Sequence, residues 1–196
     1  MTADNLGTDQ RAGRVLQVLV VDDNHDAADT LGLLLHLWGY DHRIAYDGAD
    51  ALEMATVYRP DCVLTDLALP GMDGVTLARR IRQQPGLEKS KLVALTAFSD
   101  EFHARRVKEA GFDHYLVKPA DLAELERVLQ MIQEVIRLAG KTEELARQNV
   151  ALATETKELL KEVKEDITEF KEELKEVKQE VRELKEELRE AKDGDS

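Results

Sequence analysis

Cysteine and long apolar runs are nearly missing from this sequence. Its 196 residues include one cysteine, Cys62, so no disulfide can form within the chain. No run approaches the roughly 20 apolar residues that a membrane-spanning helix needs, and the polar segment 1–13 lacks the apolar core of a secretion signal. A formal net charge of −13 disfavours general binding to nucleic acid or to anionic membranes. We therefore expect a cytoplasmic protein with no nucleic-acid or membrane partner, and a disordered N-terminus over residues 1–13.

Glycine and proline are absent from most of the C-terminal part of the chain. All four prolines lie between Pro60 and Pro119, and residues 141–193 contain neither glycine nor proline. This C-terminal segment is highly charged, and Phe170 is its one aromatic residue. The change in composition predicts a globular domain over residues 14–137, a long helix over 138–193 and a short tail over 194–196.

Between residues 14 and 137, short apolar segments alternate regularly with amphipathic ones. Capping residues such as Asp73 and Ser99, and glycines such as Gly39, mark the boundaries. The predicted strands are 15–21, 42–46, 61–65, 91–96 and 114–117, and the predicted helices are 26–38, 48–58, 73–84, 99–110 and one that begins near 121. Such alternation predicts an α/β fold with a doubly wound, five-stranded parallel sheet.

Polar side chains stand at the ends of four predicted strands. Asp22 and Asp23 follow the first strand, Asp66 follows the third, Thr96 ends the fourth and Lys118 follows the fifth. Because the carboxyl ends of parallel strands meet at one edge of a sheet, we expect these side chains to form one site. Each aspartate alone is more often a helix cap or turn residue, but agreement of all four strand ends favours a functional site.

The residue types in this predicted site suit phosphoryl transfer. Three clustered carboxylates repel one another, and a divalent cation removes that cost; oxygen-only ligation suits Mg²⁺. Lys118 supplies a positive charge and Thr96 a hydroxyl donor, which together can stabilise a transferring phosphoryl group. A carboxylate can itself accept that group and form an aspartyl phosphate.

Residues 15 to about 135 resemble the receiver domain of two-component response regulators. The resemblance covers nearly two-thirds of the chain and rests on a specific set of motifs, Asp22-Asp23, Asp66, Pro70-Gly71 before Asp73-Gly74, Thr96-Ala97 and Lys118-Pro119. It implies a flavodoxin-like sheet of strand order 2-1-3-4-5. It also implies that the protein catalyses only its own phosphorylation and dephosphorylation, so we do not expect an enzyme in the usual sense.

The resemblance further implies roles for individual residues. Asp66 accepts a phosphoryl group from a phosphohistidine on a sensor histidine kinase or phosphotransfer protein. Asp23, Asp66 and the backbone carbonyl of Ala68 ligate Mg²⁺, and Asp22 acts on the metal through a water molecule.

A second group of implied roles concerns the bound phosphoryl group and the response to it. Lys118 and Thr96 hold the phosphoryl oxygens, and the Lys118–Pro119 peptide bond is expected to be cis. Thr96 and Tyr115 form the switch, although an ordinary aromatic on an edge strand is an equally good interpretation of Tyr115.

The C-terminal segment carries a heptad repeat. From Leu160 onward the apolar residues are spaced alternately by 3 and 4, at Leu160, Val163, Ile167, Phe170, Leu174, Val177, Val181, Leu184, Leu188 and Ala191. Upstream, Leu138, Leu145, Leu152 and Leu159 keep a period of seven, but the complementary seam positions are polar, at Thr142, Asn149 and Thr156. The pattern predicts a coiled coil with a stutter near Leu159 and a looser upstream part.

We expect the coiled coil to form a parallel homo-oligomer, because its flanking charges attract in that orientation alone. A dimer is favoured on base rate, while Leu at a with Val at d makes a tetramer the alternative. An exposed single helix, stabilised by Glu–Lys pairs, is the competing interpretation. So regular a repeat is compatible with two origins: it is a natural output element, or it is a segment appended by design.

These observations together favour a response regulator that signals through protein–protein contacts and oligomerisation. The alternative is a phosphorelay intermediate or phosphate sink whose coiled coil only sets its oligomeric state. A phosphatase with an aspartyl nucleophile is disfavoured, because Asp22-Asp23-Asn24 lacks the Asp-x-Asp arrangement expected on the first strand.

Overall fold

The computed structural model describes residues 15–97 and 101–193, with side chains described for all of these except 101–104 and 187–193. The predictions for residues 1–13, for the Ser99 cap and for the tail 194–196 lie outside the described residues. The chain divides into two units at the junction of Lys141 and Thr142. The first unit contains a sheet and its helices, and the second is helical as far as Asp193.

Five strands and five helices alternate along the described residues. The strands are β1 (Gln17–Val21), β2 (Asp41–Ala45), β3 (Cys62–Asp66), β4 (Lys91–Thr96) and β5 (His114–Val117). The helices are α1 (His25–Leu37), α2 (Gly48–Tyr58), α3 (Gly74–Arg82), α4 (Glu101–Glu109) and α5 (Leu122–Asp193). All strand pairs are parallel and their order is β2-β1-β3-β4-β5. The predicted α/β fold, the strand order and the long C-terminal helix are confirmed.

Three strands differ from the prediction by one or two residues: β1 begins at Gln17 and not at residue 15, β2 spans Asp41–Ala45 and not 42–46, and β3 spans Cys62–Asp66 and not 61–65. β1 begins at Gln17 because its ladder with β2 starts there, opposite Asp41, and Val15 remains half-exposed before it. β2 ends at Ala45, the last residue paired with β1, and the ring of the next residue, Tyr46, stacks on His25 with ring centroids 3.8 Å apart. Apolar pattern alone does not resolve such one- or two-residue shifts, because they depend on the neighbouring strand.

The three central strands, β1, β3 and β4, are buried on both faces, as expected for a doubly wound fold. Val18, Leu19, Val20 and Val21 of β1 are all fully buried. Leu19 and Val21 belong to a core with α2, α3 and α4, whereas Val18 and Val20 belong to a second core with α1 and α5. Alternate residues of one strand therefore serve two helix layers, which explains its continuous apolar sequence.

A group of ion pairs fastens the amino ends of β4 and β5. Asp113, just before β5, accepts hydrogen bonds from Arg82 at 2.7 Å, from Lys91 at 2.7 Å and from the Leu92 amide at 2.9 Å. Arg82 also donates to the Gly111 carbonyl at 2.9 Å. Burial alone would raise the pKa of Asp113, but the Lys91 and Leu92 hydrogen bonds outweigh it and hold the pKa below its ordinary value. We refer to Arg82, Lys91 and Asp113 as the amino-edge clamp.

The second unit, from Thr142 onward, is helical chain with exposed side chains as far as Glu186. Its large apolar side chains are about half exposed, for example Leu160 at 56%, Val163 at 51% and Ile167 at 48%. Within the described residues, no helix is both long and apolar enough to cross a membrane. The described part of this unit therefore presents a stripe of exposed apolar side chains.

Candidate functional site

The structure brings the four predicted strand ends together at the carboxyl edge of the sheet. Lys118, directly after β5, connects the carboxylates that follow β1 and end β3. Its Nζ donates to Asp22 Oδ2 at 2.7 Å and to Asp66 Oδ2 at 2.6 Å. The Lys118 amine thus binds two carboxylates that precede it in the sequence by 96 and 52 positions.

Asp22 and Asp66 are held differently from each other. The side chain of Asp22 is 1% exposed, and its second oxygen accepts a hydrogen bond from the Asn24 amide at 3.0 Å. Asp66 is 15% exposed, and its second oxygen accepts from the Ala68 amide at 3.0 Å. A buried carboxylate needs such partners to offset its desolvation. Asp22 is thus a fixed support, whereas Asp66 faces solvent in part.

Lys118 is positively charged in this environment. Burial would lower the pKa of its amine, but hydrogen bonds to the Asp22 and Asp66 carboxylates outweigh burial and raise that pKa. Its backbone is fixed as well, because the Lys118 amide donates to the Thr96 carbonyl at 2.7 Å. The Lys118–Pro119 peptide bond is cis, as predicted.

The two predicted switch residues lie in different surroundings. Thr96 ends β4 and is 2% exposed, next to Val117 in the β4–β5 ladder. Tyr115 is 43% exposed on the edge strand β5 and lines a cavity of about 580 Å³ with residues of α4, including Arg105 and Lys108. The structure therefore places Thr96 at the carboxyl edge and Tyr115 on the outer surface beside α4.

Three carboxylates at this edge fit a divalent cation. Asp22, Asp23 and Asp66 each offer an oxygen, and these oxygens lie within 4.8 Å of one another. Mg²⁺ usually keeps several waters and takes only one or two carboxylates, so these three residues would not all need to touch the ion directly. Asp23 is exposed and, among the described residues, makes no hydrogen bond or ion pair. An all-oxygen donor set with one uncommitted carboxylate is suited to Mg²⁺.

Two supporting contacts were not predicted from the sequence. The rings of His25 and Tyr46 stack within 2° of parallel, and the Tyr46 hydroxyl donates to Asp29 at 2.8 Å, which ties the start of α1 to the end of β2. Gly74, the first residue of α3, packs so closely that an added Cβ would lie 2.3 Å from the Asp66 carbonyl oxygen. A glycine directly after the capping residue Asp73 is the one sequence signal for that contact.

Substitution Gly74→Ala should damage both the fold and the site. The new methyl group collides with the backbone at Asp66 and Leu67, which cannot yield as a side chain can. We expect the free energy of unfolding to fall by about 1–3 kcal/mol, as for other overpacked positions, measured by urea denaturation. Gly32→Ala is the matched control, because its Cβ would meet the movable Ile44 side chain at 2.7 Å. Equal losses in both variants would contradict this account.

The strand order and the lysine-bridged carboxylates define a flavodoxin-like α/β protein with an acidic site at its carboxyl edge. Residues 18–130 match the family model for the response regulator receiver domain. The chain belongs to that family, whose members are signalling domains of two-component systems.

Individual relatives agree with this family. The response regulator ArlR of Staphylococcus aureus is 35% identical over 121 residues, which are 62% of this chain and 52% of ArlR. This chain thus spans about half the length of that relative. The chemotaxis protein CheY4 of Vibrio cholerae is 28% identical, with a TM-score of 0.58 over 61% of this chain and 99% of that structure. The receiver domain of the sensor histidine kinase PA1611 from Pseudomonas aeruginosa is 32% identical, with a TM-score of 0.57 over 62% of this chain and 99% of that one; that structure has a magnesium ion in its active-site cleft.

Proposed function

We propose that this chain is a phospho-accepting response regulator that takes a phosphoryl group from a partner phosphohistidine onto Asp66. The carrying observation is the Lys118 amine, which lies 2.6 Å from Asp66 and 2.7 Å from the buried Asp22. A fixed positive charge beside a partly exposed carboxylate favours both the approach of a phosphoryl group and the charge that develops during its transfer.

The proposed reaction transfers one phosphoryl group between two protein side chains. A carboxylate oxygen of Asp66 forms a bond to phosphorus while the bond from phosphorus to the histidine nitrogen breaks, and its electron pair returns to the imidazole. Lys118 donates hydrogen bonds to the phosphoryl oxygens, and Thr96 contributes its hydroxyl from the end of β4. Asp22 keeps Lys118 in place when the negative charge of Asp66 is taken up in the new bond.

Mg²⁺ is the proposed cofactor, held by Asp23 and Asp66 together with the Ala68 carbonyl, and supported by Asp22. When bound, it neutralises charge on the phosphoryl oxygens. The Asp66 carboxylate already accepts a hydrogen bond from the Ala68 amide at 3.0 Å, so the backbone beside this phosphoryl acceptor is fixed. The magnesium-containing receiver domain of PA1611 supports the choice of ion.

Treatment with a small acyl phosphate and Mg²⁺ tests this function without knowledge of the partner kinase. We expect a phosphoryl adduct in the intact mass, lost on treatment with hydroxylamine and absent when the metal is chelated. If no adduct forms under any metal condition, the proposed function is wrong.

Substitution Asp23→Ala should weaken Mg²⁺ binding strongly. The variant removes the one exposed, uncommitted carboxylate of the cluster and leaves too little charge to offset dehydration of the ion. Loss of a residue that only supports a metal ligand typically weakens metal affinity by ~10–100-fold. Because Asp23 is itself a proposed ligand, we expect a larger rise in the dissociation constant for Mg²⁺, which calorimetry can measure. Asp50→Ala, an equal change of charge on α2, is the control. Unchanged affinity in the Asp23 variant would place the metal elsewhere.

We also propose that the C-terminal part of α5 forms a parallel coiled-coil homo-oligomer, with a dimer favoured over a tetramer. Its apolar positions are exposed in the single chain, for example Leu174 at 41% and Val177 at 53%. Ion pairs within the helix occur at Lys161–Glu165 and Lys175–Glu172, which are heptad positions b and f when Leu160 is position a. These pairs leave the charges that flank the seam available to a second helix.

The flanking charges select the orientation. With Leu160 as position a, the e positions are Lys164, Lys171, Lys178 and Lys185, and the g positions are Asp166, Glu173, Glu180 and Glu187. In a parallel pair each g residue faces the e residue of the next heptad on the partner, so every such pair attracts. In an antiparallel pair like charges face each other. Each exposed contact contributes only about 0.2–1 kcal/mol, but all of them favour the same arrangement.

A further inference from the structure

The part of α5 in the first unit has two apolar faces. Leu125, Leu129 and Ile132 form the inner face and are at most 2% exposed, packed in the core with α1. Met131, Val135 and Leu138 form a second face and are 45%, 48% and 48% exposed. A helix that packs on one side of a sheet needs only one apolar face. Packing of α5 on the sheet therefore does not explain why this second face is apolar.

The second face follows the heptad spacing of the coiled coil. The steps from Met131 to Val135 and from Val135 to Leu138 are 4 and 3, and Leu138 begins the series of leucines with a period of seven that continues to Leu159. Met131 and Leu138 thus occupy position d and Val135 occupies position a of the upstream register. The seam residues of the coiled coil begin in sequence inside the receiver domain.

We propose that Met131, Val135 and Leu138 bind the same three residues of a second copy of this chain, so that two receivers pair through α5. This inference rests on the proposed parallel coiled coil. If two copies of the helix are parallel and in register downstream, the seven-residue period sets identical residues of the upstream part opposite each other. A second copy is therefore the occupant that the sequence register selects for this face.

The charges beside this face permit the pairing. Glu134, at position g, is held in its own helix by Arg137, with hydrogen bonds of 2.6 and 2.8 Å between the guanidinium and the carboxylate. In a parallel pair Glu134 faces Ala139 of the second copy, at position e, so no like charges meet. The receiver part of the seam is thus bound by apolar contact, and the downstream charges set its register.

Disulfide formation between identical residues tests the pairing in the full-length chain. Three single-cysteine variants are made in a Cys62→Ser background, Val135→Cys in the receiver part, Val177→Cys in the downstream coil and Gln130→Cys as the control. Gln130 is exposed on α5 at position c, away from the seam. Facing positions of a parallel pair lie within the Cα separation that a disulfide needs, so Val135→Cys should crosslink at least ~10-fold faster than Gln130→Cys.

The variants separate failure of this inference from failure of the coiled coil. If Val177→Cys crosslinks rapidly but Val135→Cys is no faster than Gln130→Cys, the receiver pairing is wrong and the coiled coil stands. If neither seam variant crosslinks, the proposed coiled coil itself is wrong. A different protein as the occupant gives the first of these outcomes in purified samples. Rapid crosslinking of both seam variants, with a slow control, supports the inference.

Discussion

Replacement of Asp66 by asparagine should abolish phosphoryl labelling and leave the fold intact. The amide has no carboxylate oxygen to act as nucleophile, so labelling by an acyl phosphate with Mg²⁺ should fall by at least ~100-fold. Asparagine has nearly the same shape and keeps an oxygen that can accept the Ala68 amide, now bonded to Asp66 at 3.0 Å. Lys118 keeps its ion pair with the buried Asp22. Intact mass spectrometry measures the labelling, and circular dichroism checks the fold.

The control for this variant must change the charge equally without touching the acceptor. Asp26→Asn serves, because Asp26 is an exposed residue in the first turn of α1. It should label like the unmodified chain. If Asp66→Asn is labelled as well as the control, the assignment of the acceptor is wrong; if both lose labelling, the loss reflects charge near the site and not the nucleophile.

A single charge in the downstream seam should have the other large effect. Leu174→Glu replaces an apolar residue at position a, which faces its own copy in a parallel pair, so every dimer loses two leucines and gains two facing charges. Burial of each leucine contributes about 2 kcal/mol, and two correspond to a rise of ~1,000-fold in the dissociation constant. Sedimentation equilibrium should show an oligomer for the unmodified chain and a monomer for the variant at micromolar concentration.

Gln179→Glu is the matched control for the seam variant. It adds the same negative charge on the same helix, but at position f, which faces solvent in a coiled coil of either orientation. This variant should keep the oligomeric state of the unmodified chain. An oligomer that survives Leu174→Glu would show that the apolar stripe is not the contact surface.

The sequence was sufficient for the parts of the site that depend on strand topology. Asp22, Asp66, Thr96 and Lys118 come together because parallel strands share one carboxyl edge, and that rule needs only the order of apolar segments. The sequence did not show which of Asp22 and Asp23 is buried. The structure shows Asp22 enclosed by Lys118 and the Asn24 amide, and Asp23 exposed.

Two contacts that support the site were beyond sequence reasoning. The His25–Tyr46 stack and the approach of Gly74 to the Asp66 carbonyl depend on the conformations of the loops that follow the strands. The exposed face at Met131, Val135 and Leu138 could be found only after burial had separated it from the inner face of α5. The heptad repeat, by contrast, is local in sequence and was legible from spacing alone.

The amino-edge clamp opposes slippage between β4 and β5. Lys91 and Asp113 join the two strands at the end remote from the acceptor, and Arg82 of α3 adds a second ion pair there. From Asp113 to Lys118 the chain extends about 16 Å, at ~3.3 Å per residue. A slip of β5 by one residue would move Lys118 by ~3.3 Å, which is more than the length of a hydrogen bond. The strand register fixed at the amino edge therefore also sets the position of the amine beside the acceptor.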